Sequence, residues 1–222
     1  MKIRDAKGRT DGNSGYTRAL GNDELGRLVS RVQSTVISNG TELERIIVSL
    51  TNPIHDLDLY INNVTDGEQE NGVYLCQKKV LKKSSYAIRD IEPDLLIFIV
   101  DRRRICKVIE LKDGDNFDTK KSESEKEHLE QFARLFGSRI PFVTEYYICS
   151  FNQENKEMIY TGFKGRFDLE HIMTGRELCE ILHIDYDEIV SSRNEDMRDN
   201  FDYFINELVN IPEVREKIEE LL

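Results

Sequence analysis

The sequence predicts an α/β (α+β) protein in which a central mixed β-sheet is flanked by helices, with helical N- and C-terminal parts. Two apolar, β-branched runs in the middle of the chain, residues 94–101 and 105–112, indicate adjacent strands. Apolar residues recur at helical spacing before and after these runs. The order helices, strands, helix, strands, helices is typical of a mixed sheet covered by helices.

The N-terminal quarter predicts a flexible arm followed by two helices. Residues 1–22 are rich in Gly, Asn and Arg and carry no apolar period. Asn22 is placed to cap a helix that Asn39-Gly40 would end. A second helix is expected from Thr41 to just before Pro53, so the two helices would form an αα-hairpin.

The two apolar runs predict a central hairpin whose turn contains Arg102 to Arg104. Because residues 95–100 have no polar member, both faces of this sheet are expected to be covered. Residues 51–72 predict a loop with a short helix at 55–61.

Helices and strands alternate in the second half of the predicted chain. Ser122 or Ser124 is expected to cap a helix that ends before Gly137, and two strands are expected at residues 143–151 and 158–161. Thr174 to Glu177 has the spacing of a capping box, and the last helix is expected from Asn194 or Asp196.

Length and composition exclude several classes of protein. The chain has 222 residues and 25.9 kDa, enough for one packed domain with an added helical lobe. No apolar run approaches the roughly 20 residues of a membrane helix, and no secretory signal is recognisable, so we expect a cytoplasmic protein without a membrane partner. The four cysteines form no CxxC pair, which argues against zinc and disulfide scaffolds.

The formal charge of −11 lies entirely in the C-terminal quarter. Residues 168–222 hold 16 acids and 5 basic residues, whereas the 26 acids and 26 basic residues of the first 167 positions cancel. Because polyanion binding depends on local Lys and Arg clusters, the acidic total does not exclude a nucleic-acid partner.

Asp94, Glu110 and Lys112 form the constellation with the clearest chemical meaning. Glu110 and Lys112 lie two positions apart on one strand, so they project to the same face with the carbonyl of Leu111 between them. Asp94 is the first residue of the preceding predicted strand, and the hairpin places it beside residues 110–112. An odd-length turn or a bulge is required to set Asp94 opposite Glu110 or Lys112, since an even-length turn would place it on the other face.

Two carboxylates and a main-chain carbonyl suit Mg²⁺, a hard ion that prefers oxygen ligands and keeps several waters. Such a centre stabilises charge on a phosphoryl oxygen. Lys112 would orient the attacking water or help to deprotonate it, since partial burial and a nearby divalent cation both favour the neutral amine. These parts together predict hydrolysis of a phosphodiester.

The segment Pro93-Asp94 followed by Glu110-Leu111-Lys112 resembles the motif of the PD-(D/E)xK nuclease superfamily, in particular that of type II restriction endonucleases. The resemblance covers residues 92–151 and implies a restriction-endonuclease-like fold. It implies that Asp94 and Glu110 bind Mg²⁺ and that Lys112 assists the attacking water. Members often add a glutamate from an upstream helix, for which Glu44 is chosen over Glu42.

Further acids near the motif have open roles. Asp113, Asp115 and Asp118 could form a second metal site or simply a turn. Glu127 and Gln131 lie on the following helix, where a supporting role or a surface position are both possible.

Clusters of basic residues are candidates for DNA contact because they can follow the phosphate backbone. Arg102 to Arg104 are expected at the end of the hairpin remote from Asp94. Lys156, Lys164 and Arg166 follow the later strands as weaker candidates. The residues expected to bind DNA are Lys78, Lys79, Lys82, Lys83, Lys120 and Lys121.

The residues predict a Mg²⁺-dependent DNA endonuclease. The resemblance to type II restriction endonucleases implies that it is sequence-specific, cuts both strands of double-stranded DNA and leaves 5′-phosphate and 3′-hydroxyl ends. The expected domains are a flexible or DNA-contacting arm at 1–22, a nuclease core at 23–167 and an acidic helical subdomain at 168–222. A homodimer is expected because two strands of a palindrome need two equivalent centres, with an interface from the C-terminal quarter or the N-terminal hairpin.

Two other functions remain open at this point. A structure-specific repair or junction nuclease would use the same centre, and a catalytically silent DNA-binding module would keep only the fold. No dinucleotide or P-loop fingerprint is present in the sequence, so no nucleotide cofactor is expected.

Overall fold

A computed structural model describes residues 1–9, 14–114 and 119–222 of the chain. Its sheet is built from the strands β1 Gly72–Gln77, β2 Leu95–Val100, β3 Arg104–Lys112, β4 Val143–Ser150 and β5 Ile172–Thr174. Short 3-10 helices occur at Ile3–Asp5 and Leu169–His171. The α-helices are α1 Gly15–Leu20, α2 Asp23–Ser49, α3 Leu57–Asp66, α4 Lys78–Leu81, α5 Thr119–Gly137, α6 Lys156–Gly162, α7 Gly175–Leu182, α8 Tyr186–Asn210 and α9 Pro212–Leu221.

The chain divides into two compact units. One consists of Met1–Leu43 together with Asp187–Leu222 and is helical in its described residues. The other is Glu44–Tyr186 and contains the whole described sheet. The expected functional boundaries at residues 22 and 167 stay a prediction.

The sheet is mixed, as the sequence predicts. Its strand order is β1-β2-β3-β4-β5. β1 pairs with β2 and β2 with β3 in antiparallel fashion, whereas β3 pairs with β4 and β4 with β5 in parallel. The antiparallel hairpin is therefore joined to a parallel strand through the crossover helix α5.

Both faces of the central strands are buried, as expected from the unbroken apolar run. Phe98 and Val108 on one face pack in the same core cluster as Phe132 and Phe136 of α5. Ile97, on the opposite face of β2, is fully buried as well. The hairpin is thus fixed by packing on two sides, which holds the residues at its ends in place.

One continuous helix replaces the expected N-terminal αα-hairpin. Asn22 caps α2 as predicted, since its Oδ1 accepts from the N–H of Leu25 at 2.8 Å. The predicted stop at Asn39-Gly40 is wrong, because α2 continues to Ser49. Glycine inside a helix costs only about 1 kcal/mol, and burial of Leu43 and Ile47 on the following turns outweighs that cost.

The expected strand at 158–161 is also wrong. These residues belong to α6, whose first N–H groups, those of Glu157 and Met158, donate to the Asn155 side chain. A short apolar run does not distinguish strand from helix by its period alone, and here the cap decides for helix.

Several helix starts differ from the expected positions. α5 begins at Thr119, so Ser122 is a buried residue inside the helix and does not cap it. α8 begins at Tyr186, ahead of the predicted Asn194 or Asp196. The Thr174 capping box is confirmed, with its side chain accepting from the N–H of Glu177 and the Glu177 side chain accepting from the N–H of Thr174.

The N-terminal stretch carries local structure despite its lack of an apolar period. Ile3 and Ala6 are buried, and α1 is capped by Ser14. The Gly-rich composition reflects tight turns, for example at Gly21, which has φ +68° after α1. The expected DNA contact of this stretch stays a prediction.

All four cysteines are free and buried. Among the helices of the described ranges, none combines the length and the apolar character that a membrane span requires.

The continuity of α2 leads to a stability prediction for Gly40. A Cβ at this position meets no atom within 4 Å, and the backbone is helical. Gly40→Ala is therefore expected to stabilise the protein by roughly 0.5–1 kcal/mol in urea unfolding followed by circular dichroism.

Gly67→Ala is the matched control, because Gly67 has φ +78° and ends α3 in the left-handed region. That variant is expected to lose about 1 kcal/mol. A loss of stability in Gly40→Ala would indicate that the helix ends at this residue after all.

Candidate active site

The register of the β2–β3 hairpin brings Asp94 and Glu110 to the same level. Leu95 pairs with Ile109 and Val100 with Arg104, which leaves the three residues 101–103 in the turn. Continuing this register by one pair places Asp94 opposite Glu110, on the same face of the sheet. The predicted odd-length turn is confirmed.

Asp94 is held from two sides. Its Oδ2 accepts from the main-chain N–H of Leu111 at 3.1 Å, and its Oδ1 lies 3.4 Å from the Nζ of Lys78. The N–H of Lys78 also donates to the Asp94 carbonyl at 3.1 Å. With 14% of its side chain exposed, the carboxylate has little freedom to turn away from Glu110.

Glu110 is a buried acid whose charged form is unfavourable. Loss of water around the group and the neighbouring Asp94 carboxylate raise the pKa of Glu110 to about 7, although Lys112 opposes the shift. A cation that approached both carboxylates would relieve this cost.

Lys112 binds two carboxylates on the same side of the sheet. Its Nζ lies 2.5 Å from Oε1 of Glu110 and 3.2 Å from Oε1 of Glu125 in α5. Burial alone would lower the pKa of Lys112, but Glu110, Glu125 and Asp94 together raise it. The expected preference for the neutral amine is therefore reversed by three carboxylates while no divalent cation is present.

Glu44 lies near enough to the pair to respond to its charges. Burial first, and then the Asp94 carboxylate, raise the pKa of Glu44, whereas Lys78 and Lys112 lower it. The alternative, Glu42, pairs instead with the amino group of Met1. Of the two candidates, Glu44 is the one beside the constellation.

A polar cleft of about 210 Å³ opens next to these residues. Glu92, Glu110 and Glu125 contribute carboxylates to its lining, and Lys78 and His128 contribute nitrogen atoms. A cleft of this kind admits a small hydrated ion and a phosphate oxygen more readily than an apolar ligand.

Sequence reasoning missed Glu125, although a signal for it exists. Leu129, Phe132 and Phe136 form the buried stripe of α5. Glu125 lies four residues before Leu129, on the same face of the helix, so its side chain is directed to the sheet. Glu127 and Gln131, which were considered instead, are exposed.

The donor set fits a hard divalent cation. The N–H and carbonyl of one strand residue point to the same side, so the Leu111 carbonyl faces the side where its N–H binds Asp94. Nowhere in ranges 1–9, 14–114 and 119–222 do three His, Cys, Asp or Glu side chains cluster as a metal site. Asp94, Glu110 and the Leu111 carbonyl would offer two carboxylates and one carbonyl, which suits an ion that keeps several waters.

The possible second site of Asp113, Asp115 and Asp118 falls largely outside the described residues, since only Asp113 is described. The Oδ1 of Asp113 accepts from the Asn152 side chain at 2.8 Å. This bond joins the segments that follow the neighbouring strands β3 and β4.

The predicted DNA-contacting lysines divide into two groups. Lys78 is directed to Asp94, whereas Lys79, Lys82 and Lys83 are exposed on and after α4. Lys82 also lies 3.7 Å from Glu92, a residue of the cleft.

Other basic candidates take different positions. Lys120 and Lys121 are exposed at the start of α5. Arg102 lies in the turn, at the end of the hairpin remote from Asp94, as expected. Lys156 pairs with Glu177 at 2.7 Å and Arg166 with Glu123 at 3.6 Å.

Comparison with known proteins gives one informative relative. The chain is 62% identical over 223 residues to the type II restriction enzyme HhaII of Haemophilus parahaemolyticus, covering 99% of this chain and 98% of that protein. No protein-family model matches the chain, and no solved structure matches it.

The raised pKa of Glu110 predicts a pH-dependent cost to stability. Because the pKa of Glu110 is raised in the folded protein, its contribution to the free energy of unfolding is fully present below the ordinary pKa of 4.5. That contribution is lost as the pH rises through about 7. Glu110→Gln is therefore expected to stabilise the metal-free protein by about 1–3 kcal/mol at pH 8, at 1.36 kcal/mol per pH unit, and by much less at pH 5.

Urea unfolding in a chelating buffer at both pH values measures this effect. Glu127→Gln, on the exposed side of α5, is the control and is expected to change nothing. Equal stabilisation by Glu110→Gln at pH 5 and pH 8 would show that the buried charge is not its origin.

Proposed function

The chain belongs to the type II restriction enzymes and is a site-specific deoxyribonuclease, and from this premise we propose that it hydrolyses double-stranded DNA at a Mg²⁺ centre held by Asp94, Glu110 and the Leu111 carbonyl. The proposed products carry 5′-phosphate and 3′-hydroxyl ends. Membership of the PD-(D/E)xK superfamily is part of the proposal.

The observation that carries this proposal is the opposition of Asp94 and Glu110 across the hairpin, with Lys112 beside them. Asp94, Glu110 and Lys112 are mostly buried, and Lys112 contacts Glu110 directly. Buried groups whose pKa is shifted by lost hydration and a neighbouring charge cluster at functional sites, which supports the proposal.

Bound Mg²⁺ would supply Lewis-acid stabilisation of the charge that develops on the phosphoryl oxygens. Asp94 and Glu110 supply the negative charge that attracts the ion, and the N–H of Leu111 fixes the orientation of Asp94. Lys112 orients the attacking water through its Nζ, and Glu125 holds that amine in position. Glu44 adds a further carboxylate to the same region.

Exposed lysines next to the cleft are proposed to bind the DNA backbone. Lys82 lies near Glu92, which lines the cleft, and Lys79 and Lys83 are exposed on and after the same short helix α4. Lys120 and Lys121 lie at the start of the helix that carries Glu125. Contacts to phosphate fix the position of the duplex without reading its sequence. Lys78 has the additional role of balancing the Asp94 charge when the ion is absent.

A homodimer is part of the proposal, because a palindromic site presents two scissile phosphates in equivalent surroundings. The proposed partner is double-stranded DNA and the proposed location is the cytoplasm, where a restriction-modification system acts.

The direct test is digestion of a mixed set of plasmids with and without Mg²⁺, followed by sequencing of the fragment ends. Discrete fragments that appear only with Mg²⁺ and carry 5′-phosphates are expected. Diffuse fragments would instead indicate a structure-specific nuclease, and binding without cleavage would indicate a silent DNA-binding module.

Asp94→Asn is expected to reduce cleavage by about a thousandfold or more, since several kcal/mol of charge stabilisation depend on the ion. DNA binding without divalent ions is expected to be unchanged or tighter, because one charge that repels phosphate is removed. Plasmid nicking rates and electrophoretic mobility shifts measure the two effects.

Asp101→Asn is the matched control, since Asp101 lies in the turn at the other end of the same hairpin. It is expected to cleave at the wild-type rate. Cleavage by Asp94→Asn at the wild-type rate would exclude Asp94 from the centre.

The double variant Lys82→Ala/Lys83→Ala is expected to weaken DNA binding. The slope of log K against the logarithm of the salt concentration, where K is the DNA-binding constant, is expected to be shallower by about two units. One unit is lost for each missing phosphate contact. Titrations at several salt concentrations give this slope. Arg102→Ala/Arg103→Ala changes the same charge at the remote turn, and an equal effect of both double variants would argue against a specific role of the lysines.

A further inference from the structure

The segment between α4 and β2, residues 82–93, carries both basic side chains and one wall of the cleft. This segment is called the basic loop below. Its last residues, 90–93, line the cleft and lead directly into Asp94. A shift of the loop would therefore move the cleft wall and the basic side chains together. The exposed basic residues of the loop are Lys82, Lys83 and Arg89.

The position of the basic loop is not set by regular secondary structure. All of its residues are described, and none belongs to a helix or a strand. Within the loop the N–H of Ala87 donates to the carbonyl of Ser84 at 3.2 Å, and Asp90 has φ +67°. Connections of this length without secondary structure are uncommon in compact domains and are often functional. What holds this loop in place is therefore a question about its contacts with other elements.

Arg139, which follows α5, binds the middle of the basic loop through its guanidinium group. Its Nη2 donates to the Ser85 carbonyl at 2.5 Å, and its Nη1 donates to the Tyr86 carbonyl at 3.3 Å. The guanidinium carbon also lies 5.3 Å from the centre of the Tyr86 ring. A planar group that binds two successive carbonyls and covers an aromatic ring fixes the orientation of the backbone as well as its position.

A second side chain holds the same point of the loop. The Asp58 carboxylate in α3 accepts from the N–H of Ser85 at 3.0 Å and 3.1 Å, and its Oδ1 also accepts from the Ser85 hydroxyl. Asp58 lies 27 positions before Ser85, and Arg139 lies 54 positions after it. Two elements that are distant in the sequence thus bind one residue of the loop, and both its N–H and its carbonyl are paired with side chains.

Apolar packing and an ion pair support these hydrogen bonds. The Tyr86 ring lies edge-on to Phe136 of α5, with ring centres 6.2 Å apart, and Ile88 and Ile91 pack against the same core. Lys82 lies 3.7 Å from Glu92, so the two ends of the loop are close together. The loop is therefore held at its middle by Asp58 and Arg139 and along its length by the core.

We propose that Asp58 and Arg139 are positioning residues for DNA cleavage, because they hold the basic loop in a fixed place relative to Asp94 and Glu110. Lysine contacts to phosphate determine where the duplex lies, whereas the two carboxylates determine where the ion lies. Cleavage requires that both positions agree, and a misplacement of about 1 Å can cost about a hundredfold in rate. Neither Asp58 nor Arg139 lines the cleft, so both would act through the loop.

This inference rests on the proposed function and deepens it. Its test is the single-turnover cleavage rate of Arg139→Ala with Mg²⁺, at saturating enzyme, on a plasmid that the wild-type chain cuts. The rate is expected to fall about ten- to a hundredfold, because the loop loses its fixed position. The DNA-binding constant at the same salt concentration is expected to change less than about threefold, since Lys82 and Lys83 keep their charges. A wild-type rate at saturation would overturn the proposal.

Amide hydrogen exchange of the free protein reports on the loop itself. The N–H of Ser85 is expected to exchange at least about tenfold faster in Arg139→Ala, whereas the amides of β2 are expected to exchange as in the wild type. Unchanged exchange at Ser85 would show that Arg139 does not hold the loop. Urea unfolding separates the alternatives further, since a merely structural role would lower the free energy of unfolding and leave the cleavage rate of the folded protein unchanged.

Arg134→Ala is the matched control for the charge. Arg134 is exposed in the last turn of α5, so its replacement removes the same charge a short distance from Arg139. This variant is expected to cleave at the wild-type rate. A loss equal to that of Arg139→Ala would show that the charge of this region, and not the position of the loop, controls cleavage.

Two replacements of Asp58 separate its hydrogen bonds from its charge. Asp58→Ala and Asp58→Asn remove the same negative charge, but the asparagine keeps an oxygen that can accept from the N–H of Ser85. Asp58→Ala is expected to slow cleavage as Arg139→Ala does, and Asp58→Asn is expected to recover most of the lost rate. Equal losses in both variants would contradict the positioning role.

Failure of this inference is distinguishable from failure of the proposed function. A wild-type chain that cuts no plasmid of the mixed set with Mg²⁺ would reject the function, and the positioning role with it. A wild-type chain that cuts, together with Asp58→Ala and Arg139→Ala variants that cut equally fast at saturation, would reject the positioning role and keep the function.

Discussion

The opposition of two mostly buried carboxylates across one hairpin is the constraint on which the candidate site depends. Asp94 and Glu110 repel each other and have lost much of their water, and the raised pKa of Glu110 is the direct expression of both effects. Lys78 and Lys112 offset part of the cost by pairing with one carboxylate each. The arrangement persists because the surrounding sheet leaves these side chains no alternative position. A divalent cation is expected to bind most favourably where the negative charge of the carboxylates is least neutralised by other groups.

The sheet supplies that rigidity through β3, which lies between an antiparallel and a parallel neighbour. The N–H of Phe151 donates to the Lys112 carbonyl at 2.9 Å, and the Ser150 hydroxyl donates to the Gly114 carbonyl at 3.1 Å. The first bond continues the β3–β4 ladder past the end of the strand, and the second adds a side-chain contact to the segment that follows β3. The backbone that carries Glu110 and Lys112 is thereby fixed on the side away from Asp94, so the geometry of the site follows from main-chain pairing more than from side-chain contacts.

The sequence predicts the hairpin well because its determinants are local. The apolar run of β2 and the spacing of Glu110 and Lys112 show which side chains share a face of the sheet. Whether the turn has an odd or an even number of residues then decides on which face Asp94 lies. Contributions from distant elements are harder to predict. Glu125 enters the site only because α5 crosses back over the sheet. Strand β1 was not predicted, because it follows the expected loop at 51–72 and no element was assigned to residues 73–77. The stop expected at Gly40 failed for a related reason, since packing of the following turns overrides a weak local preference.

A titration of the protein with Mn²⁺ in place of Mg²⁺, followed by electron paramagnetic resonance of the free ion, tests the central claim most directly. The wild-type chain is expected to bind the ion without DNA, and Asp94→Asn and Glu110→Gln are each expected to weaken binding at least tenfold. Asp101→Asn, at the other end of the hairpin, is expected to bind as the wild type does. Equal affinity of all four proteins would show that the two opposed carboxylates do not hold the ion.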